Sequence, residues 1–131
     1  MSIAELDMIP GMLRMSQAAF ERAVADALDE LPDGIARHLE NVAVVVEDEP
    51  TEDDLLDAGL DPEQDTLFGL YQGIALTERE SYGGSLPDRI VIYRLPLLEE
   101  CGDRSELIRE IRDTVVHEIG HYFGLDEDDL P

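Results

Sequence analysis

The chain has 131 residues, 32 of them acidic and 9 basic, for a formal net charge of -23, and 44% of it is apolar. That length suits one domain spanning residues 1–131, with a modest core that Leu, Ile and Val must fill because Trp is absent. The charge excludes attraction to nucleic acid or anionic membrane, the longest apolar run (Val42 to Val46) is far short of a membrane span, and the lone Cys101 excludes an internal disulfide.

Met1 to Glu5 carries neither a basic n-region nor an apolar h-region, so no signal peptide is expected. With no disulfide either, a cytoplasmic location is the expectation. The acidic excess reads first as solubility or adaptation to salt. A preference for basic peptides or partners comes second, and mimicry of nucleic acid last.

Residues 1–15 read as an irregular or partly helical lead-in broken at Pro10-Gly11. Ser16 offers an N-cap, and Phe20, Val24, Ala27, Leu28 and Leu31 follow at helical spacing, so a first helix should end before Pro32. A short helical turn is expected over Ile35 to Leu39. Val-rich Asn41 to Glu47 predicts a buried strand. Thr51, with Asp54 three residues on, predicts a capping box for a helix through Ala58, closed by Gly59. Leu67 to Ile74 alternates as a second strand, with extension as far as Thr77. Tyr82-Gly83-Gly84 signals a turn, with a flap over a cleft as the functional reading. Arg89 to Arg94 is the third strand, and Pro96 starts a helical piece through Glu100. Asp103 and Glu106 cap a final helix with an apolar stripe of Leu107, Ile108, Ile111, Val115 and Ile119, and Gly124 follows its end. This order argues an α+β domain.

That last helix carries His117-Glu118-Ile119-Gly120-His121. Residues four apart on a helix share a face, so His117 and His121 present two imidazoles to one point. Each can offer a nitrogen lone pair to zinc. Glu118, one position round, suits a general base that takes a proton from metal-activated water. This is the content of the H-E-x-x-H pattern. Two of the chain's three histidines fall in it, on a capped and periodic helix.

A catalytic zinc site needs three protein ligands and one open position. The chain ends ten residues after His121, which excludes a Glu from a following helix. The extended pattern H-E-x-x-H-x-x-G-x-x-H is matched as far as Gly124 and then meets Glu127 where a third His would stand. A turn at Gly124 would bring residues 126–128 back towards the histidines. Glu127 is the favoured third ligand, with Asp126 and Asp128 as alternatives if the turn shifts by one.

Four other residues have plainer readings. His38 is a surface or cap residue. Asp113, one turn before His117, is a candidate to orient it but reads first as solvated helix surface. Tyr122 could meet a developing oxyanion, with packing the simpler role. Cys101 is a small buried apolar residue.

The segment His117 to Gly124 resembles the small bacterial zincin-like metallopeptidases, the minimal zincins, with an H-E-x-x-H-x-x-G-x-x-D motif. Asn41 to Pro50, Leu70-Tyr71-Gln72-Gly73 and Tyr82 to Ile90 resemble further family segments, and the likeness spans about residues 17–130. It implies a compact zincin-like α+β fold with a small sheet of about three strands and the metal motif on the C-terminal helix. It also implies His117 and His121 as ligands and Glu118 as catalytic acid/base. Position 127 departs from the pattern, with Glu in place of Asp.

The expected function is therefore zinc-dependent peptide hydrolysis, with one Zn2+ per chain and a peptide or protein substrate, basic in one reading. The alternatives are a zinc-binding protein without efficient turnover, and an acidic interaction module with a vestigial site. Larger zincins hold an extended peptide on an edge strand, and Arg89 to Arg94 is the sequence candidate for that edge.

Overall fold

The computed structural model describes residues 12–73 and 88–125. The expectations for Pro10-Gly11, for extension through Ile74 to Thr77, for Tyr82-Gly83-Gly84 and for residues 126–128 lie outside them.

Ser16 caps the first helix, α1 (Gln17–Asp29), by accepting the Ala19 N–H at 3.1 Å. Phe20, Ala23, Val24 and Ala27 recur at helical spacing and are buried. A short helix, α2 (Asp33–Ala36), runs into a 3-10 turn (Arg37–Leu39), and β1 follows at Val42–Glu47. The expected capping box is complete at α3 (Glu52–Asp57). Thr51 Oγ1 accepts the Asp54 N–H at 3.0 Å, and Asp54 Oδ2 accepts the Thr51 N–H at 3.1 Å. Gly59, at φ 78°, closes it.

After β2 (Gly69–Gln72) and β3 (Asp88–Tyr93), the chain enters α4 (Arg94–Glu100) without a loop. This helix starts two residues earlier than Pro96 suggests, because proline is tolerated within a first helical turn. The final helix, α5 (Arg104–Tyr122), is capped by Asp103, whose Oδ1 accepts the Glu106 N–H at 2.8 Å. Glu106 answers with a bond from Gly102 N–H at 3.0 Å, one residue before the cap.

The sheet order is β1-β3-β2. β1 runs parallel to β3, with Val42 opposite Asp88 and Glu47 opposite Tyr93. β2 runs antiparallel to it, with Gly69 opposite Ile92 and Gln72 opposite Arg89. This corrects two expectations. The Arg89–Arg94 segment is the central strand, not an edge, and Ile90 to Tyr93 are each 0% exposed. The Val-rich β1 is half-buried along its length, because among the described residues it has one neighbour. Arg94 is 4% exposed, donates to Asp48 Oδ1 at 3.0 Å and reaches the Met15 carbonyl at 3.4 Å. It joins the end of β1 to the segment before α1.

One face of the sheet meets α1 and α5. Leu107, Ile111, Val115 and Ile119 form the buried stripe of α5, with Ile108 only partly covered. Each such side chain contributes about 1.5–3 kcal/mol by leaving water. The α+β architecture with a three-stranded sheet on helices is as the sequence predicts. Among the described residues, no helix is long and apolar enough to cross a membrane.

Candidate active site

The helical repeat brings His117 and His121 to one exposed face of α5, with ring centroids 6.5 Å apart and planes tilted by 48°. Glu118, one position round the helix, reaches the sheet and is half-buried. Its Oε1 accepts the main-chain N–H of Tyr71, in β2, at 3.0 Å.

That bond belongs to a longer register. Tyr93 N–H donates to the Phe68 carbonyl at 2.9 Å, and alternate pairs bond across an antiparallel ladder, so the main-chain groups of Gly69 and Tyr71 face away from β3. α5 follows β2 in the same direction. Gly69 lies against Thr114, Tyr71 meets Glu118, and Gly73 lies against Tyr122. Two strand residues rise about 6.6 Å and four helical residues about 6.0 Å, so the elements stay in step. The glycines permit this approach. A Cβ at Gly69 would stand 2.8 Å from Thr114 Cγ2 and 3.0 Å from the Val91 carbonyl, and one at Gly73 would strike the Tyr122 hydroxyl.

Tyr71 secures the strand to its surroundings. Its hydroxyl donates to Asp88 Oδ2 at 2.8 Å, and its ring stacks on Tyr122 with centroids 3.9 Å apart. Tyr122 is thus a packing residue that remains half-exposed. Phe123 meets Tyr71 edge-on and lies 4.5 Å from the ring of His38. His38 is a half-buried packing residue whose Nε2 is buried without a hydrogen bond. Asp113 is exposed and accepts from Arg112 at 3.2 Å. Cys101 is 1% exposed, as expected, and burial followed by the nearby Glu106 and Glu110 pushes its thiol up to about 11.

The helix ends as the sequence predicts. Gly124 adopts φ 63°, Leu125 N–H bonds to the Gly120 carbonyl at 2.8 Å, and Gly124 N–H to that of His121 at 3.3 Å. This is a Schellman turn, and it returns Leu125 to the core. The candidate ligand Glu127, with Asp126 and Asp128, lies just beyond the described residues. Within them no group of three His, Cys, Asp or Glu side chains could hold a metal, which keeps His38 apart from His117 and His121. The described pair fits a divalent zinc ion in chemistry, as two exposed imidazoles on one face of α5.

A groove of about 340 Å³ adjoins this face. Leu67, Phe68 and Gly69 form one wall, and Glu110, Asp113 and Thr114 lead along the other to His117 and Glu118. Glu110 has its carboxyl raised above the usual range, first by burial and then by Asp113, Glu100 and Glu106. Sequence reasoning missed Tyr71 and the flanking glycines as parts of this site. The one available signal was the Gly-x-Tyr-x-Gly spacing over residues 69–73, which places three residues on one strand face.

The zincin-like metallopeptidase profile matches residues 39–131. The chain belongs to the zincin-like metallopeptidase family. For this zincin-like chain, membership brings a zinc-dependent peptidase as the class of function, without naming a substrate or a catalytic residue. A conserved hypothetical protein from Thermus thermophilus has a similar structure, with a TM-score of 0.53 and 22% sequence identity over 83% of this chain and 94% of that one. At that identity the likeness is one of fold. No curated protein matches the chain.

Proposed function

We propose that this zincin-like chain is a peptidase in which His117, His121 and a carboxylate of the tail, Glu127 foremost, hold zinc, and Glu118 serves as general base. The observation that carries the reading is the placement of Glu118. It follows His117 in the motif, lines the same groove, and accepts the outward-facing Tyr71 N–H of β2. Bound zinc would supply Lewis acidity towards water and towards a peptide carbonyl. The chain's own residues supply the rest. Glu118 takes the proton from the attacking water and returns it to the leaving amine. The Tyr71 N–H fixes the direction of the Glu118 carboxylate. Water access stays open on the exposed side of His117 and His121.

A second reading, metal binding without turnover, draws on the same bond, since a carboxylate held by Tyr71 N–H is partly engaged. One experiment separates the two. Protein purified without added zinc is analysed for metal, and peptide cleavage is compared for the parent and Glu118→Gln. The peptidase reading expects about one zinc per chain in both and cleavage only in the parent. Turnover retained by Glu118→Gln removes the proposed base. Zinc without cleavage in either protein favours the second reading.

A further inference from the structure

We propose that the groove between Leu67–Gly69 and α5 is a subsite for a lysine or arginine side chain of an extended peptide, with Glu110 and Asp113 determining that preference. The inference rests on the peptidase reading for its consequence, but its recognition chemistry stands on the groove itself. The groove opens beside His117 and Glu118, so what occupies it lies next to the proposed reaction centre. Its walls are of two kinds. Leu67 and Phe68 are half-buried and apolar, whereas Glu110 and Asp113 are acidic. Lysine and arginine match that pair, with an aliphatic stem for the apolar wall and a cationic head for Glu110 and for Asp113 Oδ2, Arg112 holding the other Asp113 oxygen.

Charge complementarity selects this occupant. Glu110 already suffers from burial and from three acidic neighbours, Asp113, Glu100 and Glu106. A cation there relieves repulsion that the fold otherwise carries, and an acidic side chain would add to it. The net charge of -23 draws the same substrates to the surface from a distance. Position follows from geometry. Glu110 precedes His117 by seven residues on α5, about 10 Å along the axis. An extended peptide covers that distance in about three residues. The basic residue should therefore lie about three positions from the cleaved bond.

The test is cleavage profiling of the zinc-loaded full chain on a peptide mixture, read by mass spectrometry, for the parent and for Glu110→Gln/Asp113→Asn. A matched variant, Asp29→Asn/Glu30→Gln, removes the same two negative charges at the C-terminal end of α1, outside the groove lining. The parent should favour Lys or Arg at that position by about tenfold, the scale of one charged contact. The groove variant should lose the preference, read as the ratio of basic to neutral peptides cleaved, and the matched variant should keep it. Cleavage by the parent with no basic preference, or a preference unchanged in the groove variant, overturns the subsite and leaves the peptidase reading standing. If no peptide is cleaved, the peptidase reading fails, and the subsite is judged by binding. Fluorescence anisotropy then compares a labelled lysine-containing decapeptide with its glutamine counterpart. Lysine-dependent binding lost only in the groove variant supports the subsite, and equal binding of both peptides overturns it.

Discussion

The main-chain N–H of Tyr71 donates to the carboxylate of Glu118 at 3.0 Å, joining a strand edge to the centre of the H-E-x-x-H motif. The two residues are 47 positions apart in sequence. Their contact is one rung of a register in which Gly69, Tyr71 and Gly73 match Thr114, Glu118 and Tyr122. The Glu118 carboxylate, the proposed base, is thereby oriented by a backbone group, which substitution of the Tyr71 side chain does not by itself remove.

The register depends on Gly69 having no side chain. In Gly69→Ala the new methyl meets Thr114 Cγ2 and the Val91 carbonyl, and the carbonyl belongs to a central strand that cannot yield. The expected loss is about 1–3 kcal/mol by urea unfolding, the range for overpacking. Adding Thr114→Ser removes the nearer methyl and should restore part of it. Equal losses in the single and double variants would show that the two residues do not share this contact.

Metal retention separates the candidate third ligands. Glu127→Ala should release zinc at chelator concentrations that leave Asp126→Ala and Asp128→Ala loaded. The Schellman turn at Gly124 fixes where the tail starts, and Glu127 sits at the motif position. Competition with a chromogenic chelator measures all three. If Asp126→Ala or Asp128→Ala proves weaker than Glu127→Ala, the ligand lies one residue from the assigned position.

Two carboxylates should shift stability with pH in opposite directions. Burial raises Asp54, but bonds from Thr51, Tyr93 and Gln72 outweigh it, so its folded pKa lies below 3.8. Its stabilisation is present above the unfolded value and is lost as pH falls through the folded one. Glu110 is raised above 4.5, so the fold binds its proton more tightly than the unfolded chain does. It therefore lowers stability as pH rises from the unfolded value through the folded one. Glu110→Gln should be more stable than the parent at neutral pH, with the gain vanishing in acid. Asp54→Asn should be less stable than the parent at neutral pH, and thermal unfolding across about pH 3–7 reads both. A Glu110→Gln chain no more stable at neutral pH would show that its neighbours are not straining that carboxylate.

The sequence by itself determined the local structure and half of the site. Ser16, Thr51 with Asp54, Asp103 and Gly124 each act within one helical turn, so their signals are complete in a few adjacent residues. The pairing of His117 with His121 is equally local, since it follows from the pitch of one helix. Strand order was not determined this way. Arg89–Arg94 was the candidate edge, yet it lies between β1 and β2, and Arg94 is buried on Asp48. Whether a strand is central depends on which segments return to it, and no short-range pattern records that. The orientation of Glu118 and the groove beside it arise in the same way. They exist only where β2 and α5 meet, and it took the tertiary structure to supply Tyr71, Gly69 and Glu110 as their neighbours.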